Sequence, residues 1–155
     1  MKKLIMDIGT KSLKAFVYEF VDGCVPVQAW RGKVVTTLLR FIDGGRLSEE
    51  GVDALVGFVR AILKEAGQFA PDETVAFATE WIRLIKNQDD IVSRIKAETG
   101  ILIKVLSHQE EAEAYWRGII RDFNHDGMIA AIDIGGGSVQ FFWGDKNADY
   151  MVRVF

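Results

Sequence analysis

Apolar positions along the chain recur with two different periods. Leu4-Ile5-Met6 is a short apolar run closed by Asp7 and Gly9, and from Leu13 to Phe20 apolar and polar residues alternate, as in a half-buried strand. The two segments predict a hairpin. Val21-Asp22-Gly23 supplies a turn, and Val25 to Thr37, with Trp30, Val34 and Val35, suits another strand or pair of strands before Asp43-Gly44-Gly45 breaks the pattern. From Ser48, an N-cap residue, apolar positions at Val52, Leu55, Val56, Val59, Ile62 and Leu63 trace one helical face that Gly67 ends. Thr74 to Thr79 reads as a buried strand, Asn87 caps a second helix through Ile91 and Ile95 to Gly100, and Ile101 to Leu106 is a further strand. Ser107-His108-Gln109-Glu110 has the capping-box pattern and opens a helix to about Phe123. After the polar break Asn124-His125-Asp126-Gly127, the strand Met128 to Ile132 ends in Asp133, Val139 to Trp143 is its return strand, and Tyr150 to Phe155 is a third. Strands first, then strands alternating with helices, predict an α/β fold with a mixed sheet and packed helices.

Composition narrows what such a fold could do. The 155 residues suffice for one domain, or for one lobe and the start of another. Lys and Arg number 19 against 22 Asp and Glu, a net charge of −3, so no global basic field exists to hold nucleic acid or an anionic membrane. Any anion must be gripped locally. Cys24 is the single cysteine, which excludes disulfides and zinc clusters within the chain and fits a reducing, cytoplasmic setting. Lys2-Lys3 is not followed by a signal-peptide core, since Asp7 cuts the apolar run, and no stretch approaches the ~20 apolar residues of a membrane span.

The chemistry lies in an internal echo. Leu4-Ile5-Met6-Asp7-Ile8-Gly9-Thr10 and Ala130-Ala131-Ile132-Asp133-Ile134-Gly135-Gly136-Gly137-Ser138 both set an acid at the end of a buried strand, then a glycine turn, then a hydroxyl residue and an outgoing strand. A glycine turn lets backbone N–H groups converge on an anion without Cβ obstruction, and the hydroxyl adds a donor. A carboxylate beside such a turn repels phosphate unless a divalent cation bridges them, so Asp7 and Asp133 point to Mg²⁺ or Mn²⁺. One such motif is often no more than a capped hairpin. Two copies argue for two lobes presenting phosphate-binding turns to one cleft.

Asp7-Ile8-Gly9-Thr10, Ala78-Thr79 with Arg83 and Asn87, Gly100, Ser107 with Glu110-Glu111-Ala112, Gly118, and Asp133-Ile134-Gly135-Gly136-Gly137-Ser138 occur in the order and at the spacing of a known set of motifs. By these the chain resembles the exopolyphosphatase and guanosine pentaphosphate phosphohydrolase (Ppx/GppA) family of the actin-like ATPase superfamily. The resemblance implies a ribonuclease-H-like lobe over residues 1–126, with a mixed five-stranded sheet flanked by helices. Residues 127–155 would be the start of a second lobe, a glycine loop and three strands. It implies removal of a terminal phosphate from polyphosphate or guanosine pentaphosphate, with guanosine tetraphosphate a related ligand. Glu111 falls on the family's general base and Arg83 on its phosphate-gripping arginine. Gly9, Thr10, Lys11, Ser12, Asn87, Gly135, Gly136, Gly137 and Ser138 fall on substrate-binding positions, and Asp7 and Asp133 on metal positions. Each role suits its side chain: a carboxylate can take a proton from an attacking water, and a guanidinium fork can bind phosphate oxygens. The plain alternatives are a first-turn glutamate favoured by the helix dipole and an arginine paired with a nearby acid.

The chain departs from the family pattern at Lys11, where asparagine is usual, at His108 after Ser107, where glycine is expected, and at Gln140, where the family has a metal-linked glutamate. Family members continue into a complete second lobe, of which three strands are present here, and an exposed terminal strand is a candidate edge for a homodimer. The competing function is therefore a non-catalytic phosphate- or nucleotide-binding or assembly module of the same descent. His108 and His125 lack paired ligands at metal spacing and read as solvent-facing, while Trp81, Trp116 and Trp143 read as core or interface aromatics.

Overall fold

A computed structural model describes residues 1–122, 127–134, 139–145 and 150–155. By internal contacts they form two compact units, Met1–Val105 and Leu106–Phe155. The first holds β1 (Lys2–Ile8), β2 (Ser12–Glu19), β3 (Val27–Val35), β4 (Ile42–Asp43), β5 (Arg46–Leu47), α1 (Glu49–Ala66), β6 (Glu73–Ala78), α2 (Glu80–Arg83), α3 (Gln88–Thr99) and β7 (Ile103–Val105). The second holds α4 (His108–Asp122), β8 (Met128–Ile134), β9 (Val139–Asp145) and β10 (Tyr150–Val154).

The first unit is built on a mixed five-stranded sheet in the order β3-β2-β1-β6-β7. Its first three strands form an antiparallel meander, and β6 and β7 then run parallel to β1. This is the mixed sheet expected of a ribonuclease-H-like lobe. Alternation in β1 and β2 sends Leu4, Met6 and Ile8, with Leu13, Ala15 and Val17, to the buried face. There they share a core with Leu55, Val59 and Ile62 of α1 and Ile91 and Ile95 of α3. Ser48 caps α1 as expected, its hydroxyl accepting the Gly51 N–H at 3.2 Å. At the other end the left-handed residue is Ala70 (φ 47°), reached after a 3₁₀ turn over Gly67–Phe69, so Gly67 stops the α-helix without reversing the chain. The exposed edges of α1 and α3 are joined by Arg94, which bonds Glu98 and Asp53. The hydrogen bond from Arg94 holds the Glu98 carboxyl below its ordinary range.

A hairpin too short to show in the apolar pattern precedes α1. Ile42 pairs with Leu47 and Asp43 with Arg46 around Gly44 and Gly45, both at positive φ, the conformation of a type I′ turn. Gly51 of α1 lies against it: a Cβ there would stand 2.6 Å from the Phe41 Cβ and 2.7 Å from the Leu47 Cδ1. Gly51→Ala is therefore expected to destabilise the protein by about 1–3 kcal/mol despite alanine's better helix propensity. Gly57→Ala, in the same helix with open space around it, is expected to stabilise by up to about 1 kcal/mol. Urea denaturation of the two variants separates packing from propensity.

In the second unit three antiparallel strands in the order β10-β9-β8 carry α4 on one face. Ala112 and Trp116 of the helix form a small core with Ile129 and Phe142, and Trp116 stacks on Tyr150 at 5.3 Å. With a boundary after residue 126, α4 would count with the first lobe; its apolar face packs here with β8 and β9. Among the described residues no helix is long and apolar enough to cross a membrane.

Candidate functional site

Parallel strands β1, β6 and β7 direct their carboxyl ends to one edge of the sheet, the edge where open α/β sheets bind ligands. Asp7 lies next to the end of β1, half-buried, with Lys14 directly opposite on β2 and Phe77 on β6. Gly9 follows in the turn: its N–H donates to the Ser12 carbonyl at 3.1 Å, and a Cβ would stand 2.9 Å from that oxygen. Only glycine fits this approach. Thr10 and Ser12 are half-buried and the Lys11 side chain is exposed.

The turn is braced from behind by a residue the sequence analysis did not single out. Thr36 is fully buried, and its hydroxyl donates to the carbonyls of Gly9 (3.1 Å) and Thr10 (2.9 Å). The Thr36 N–H donates to the Lys11 carbonyl at 3.0 Å and the Leu38 N–H to that of Thr10 at 2.8 Å. Thr37 between them has φ 45°, a left-handed conformation that a β-branched residue rarely adopts. A threonine pair after a strand is a common sequence, so the only signal was its place at the end of β3.

Arg83 closes α2, which follows β6 at the same edge, and the Trp81 Nε1–H donates to the Ile8 carbonyl at 2.7 Å, tying that helix to the end of β1. The Arg83 side chain is 14% exposed and bonds the Glu80 carboxylate at 2.9 Å. The structure thus brings Asp7, the Gly9 to Ser12 turn and the helix carrying Arg83 to one edge. Asn87 has a different occupation. It is 8% exposed, its Oδ1 accepts the Leu47 N–H at 3.0 Å and its Nδ2 donates to the Leu47 carbonyl at 2.9 Å. Its side chain makes no cap bond to α3, although it occupies the N-cap position.

In the second unit the capping box forms as its spacing predicts. The Ser107 N–H donates to Glu110 Oε2 at 2.9 Å, and the Glu110 N–H donates to Ser107 Oγ at 3.2 Å. Glu111, next in the same turn, is only 5% exposed. A first-turn glutamate of the merely solvated kind would stand in water. Asp133, near the end of β8, is half-buried and lies directly across from Gln140. Gly135, Gly136, Gly137, Ser138 and His125 lie outside the described residues. Of the remaining residues singled out, His108 is exposed, Trp116 is buried, and Trp81 and Trp143 are half-buried.

A mixed β3-β2-β1-β6-β7 sheet with an acid and a glycine turn at its ligand-binding edge defines an actin-like ATPase lobe. A model of the Ppx/GppA phosphatase family matches residues 38–152. The chain belongs to the Ppx/GppA phosphatase family. Exopolyphosphatase 1 of Mycobacterium leprae is 29% identical over 142 residues, a match covering 90% of this chain and 42% of that protein. A bifunctional 3-dehydroquinate synthase/phosphatase of Fusobacterium nucleatum is 30% identical over 149 residues, covering 90% of this chain and 22% of the other. The crystal structure of an exopolyphosphatase from Cytophaga hutchinsonii superposes with a TM-score of 0.89 at 27% identity, covering 100% of this chain and 50% of that one. The Aquifex aeolicus Ppx/GppA family member shares the fold, with a TM-score of 0.86 at 24% identity over 51% of its chain. The chain spans about half or less of the length of these relatives.

Proposed function

We propose that this chain binds the phosphoanhydride end of polyphosphate or of guanosine pentaphosphate and hydrolyses it, with Glu111 as the base. The observation that carries the reading is the burial of Glu111, which is only 5% exposed. The Glu111 carboxylate accepts a proton from a water whose oxygen forms a bond to the terminal phosphorus. The bond from phosphorus to the bridging oxygen breaks, orthophosphate is released, and the shortened chain keeps that oxygen. Arg83 offsets charge on the phosphoryl oxygens, exchanging Glu80 for phosphate, and Lys11 adds an exposed cation beside the first turn. Gly9, Thr10 and Ser12, with Gly135, Gly136, Gly137 and Ser138, supply N–H and hydroxyl donors. Asn87 acts indirectly, through Leu47.

Asp7 and Asp133 fit a hard divalent cation, Mg²⁺ or Mn²⁺, since each offers carboxylate oxygens beside a glycine turn. Among the described residues no three acidic, histidine or cysteine side chains cluster as a metal site. Mg²⁺ characteristically takes one or two carboxylates and fills the rest with water and substrate phosphate. When bound, the cation neutralises the phosphate oxygens. The test is orthophosphate release from long-chain polyphosphate, with and without Mg²⁺. Release that needs Mg²⁺ and disappears in Glu111→Ala supports the reading; no release above that control overturns it. Ligand-induced stabilisation without release would favour the binding-module alternative, to which the neutral Gln140 lends support. A cytoplasmic location suits these substrates, and β10, at the edge of its sheet, offers a strand for pairing with a second copy.

A further inference from the structure

The three antiparallel strands of the second unit have two faces, and α4 covers one. Ile129, Phe142 and Val152 point into the core with that helix. Alternation sends their neighbours to the opposite face. There Met128, Ile132 and Ile134 of β8, Met151 of β10 and Phe155 are each between 58% and 76% exposed. Phe155 follows β10 and pairs through its backbone with Val139. On β9, between the outer strands, the half-buried rings of Phe141 and Trp143 lie 5.2 Å apart. At these fractions the five exposed side chains present roughly 600–700 Å² to water, more than the about 300–600 Å² of the largest apolar patch on an ordinary monomer. Phe141, Trp143 and the aliphatic stem of Arg153 bring the face to about 800 Å², the area each partner contributes to a standard stable interface. An aromatic pair at the centre of an apolar patch is also the usual make-up of an interface hot spot.

Two charged positions on this face identify its partner. Asp145 lies opposite Met128 at one end of β9, and Arg153 lies opposite Phe141, about 14 Å further along that strand. A twofold axis running across the strands between two copies sets Asp145 of each over Arg153 of the other, while the apolar rows meet between them. The face is therefore complementary to itself, and a net charge of −3 opposes self-association only weakly. We infer that this face seats the same face of a second copy of the chain, the two sheets stacked about 10 Å apart as in a β-sandwich. The contact uses the outer face of β10 and leaves its edge free. It does not depend on the phosphate-binding reading above.

Sedimentation velocity of the full chain, from about 1 to about 100 μM, tests it. The expected species has twice the 17.4 kDa of one chain, with a Kd in the micromolar range or tighter, as interfaces of this area have. Ile132→Lys and Met151→Lys each place a charge in the contact at a position exposed within one copy. Both are expected to keep the wild-type circular dichroism spectrum and to raise the dimer Kd at least about tenfold. Arg153→Glu sets like charges against each other and is expected to weaken the dimer as well. Adding Asp145→Arg to it exchanges the two charges and is expected to return the Kd to within about threefold of wild type. A chain that stays monomeric at the highest concentration overturns the inference, and the face then belongs to a different polypeptide. A dimer that both lysine variants keep overturns it in favour of pairing through the β10 edge. Aggregation without fixed stoichiometry, or a double variant no tighter than Arg153→Glu alone, overturns it too.

Discussion

Glu111→Gln is expected to lower orthophosphate release from polyphosphate by at least about a hundredfold, the ordinary contribution of a positioned general base. Glutamine keeps the shape of the side chain and can still hold a water by hydrogen bonding, but it cannot take that water's proton. Because the residue is buried, the replacement also tests folding, and here the effect is expected to be small. What is lost is the favourable placement of one negative charge at a helix N-terminus, worth about 0.3–1 kcal/mol. Glu110→Gln is the matched control, since Glu110 is bonded to the Ser107 N–H as a cap. Its expected result is the reverse, slightly lower stability and an unchanged rate. Wild-type turnover in Glu111→Gln would remove Glu111 from the chemistry.

Asn87→Ala is expected to be the most damaging polar substitution for stability, at about 2–4 kcal/mol. The truncation leaves both the N–H and the carbonyl of Leu47 without their bonds, at a residue that is 2% exposed. Those bonds join the start of α3 to the β4–β5 hairpin across 40 residues of sequence. Asn87→Asp is expected to fail as well, because a carboxylate accepts the Leu47 N–H but cannot donate to its carbonyl. Urea denaturation gives both values. Should Asn87→Ala keep wild-type stability while tripolyphosphate affinity falls, the side chain belongs to ligand binding after all.

Elements with a strong period were legible without coordinates. The alternation of β1 and β2, the apolar face of α1 and the capping box opening α4 each follow from residues close together in sequence, where local physics decides the outcome. Of the candidate site, the glycine turn that follows β1 was legible. The structure adds what depends on residues far apart in the chain. Asn87 looked like a helix cap or substrate ligand because nothing in its neighbourhood reveals Leu47. Glu111 was singled out only by the family resemblance; its local pattern is also that of a solvated first-turn acid, because burial is a property of the packed unit. The β4–β5 hairpin, with two residues in each strand, is too short to show a period, and Ala70 adopts the left-handed conformation that sequence statistics would assign to glycine.

The buried Thr36 hydroxyl has an effect on the opposite side of the first turn. In a planar trans peptide the carbonyl and the following N–H point in opposite directions. With the carbonyls of Gly9, Thr10 and Lys11 all drawn toward residues 36–38, the amide hydrogens of Thr10, Lys11 and Ser12 are turned the other way. One hidden hydroxyl, with the Thr36 and Leu38 N–H groups, thus sets the polarity of a surface it never touches, presenting consecutive positive dipoles outward, and Thr36→Val would release the Gly9 carbonyl without altering a single exposed atom.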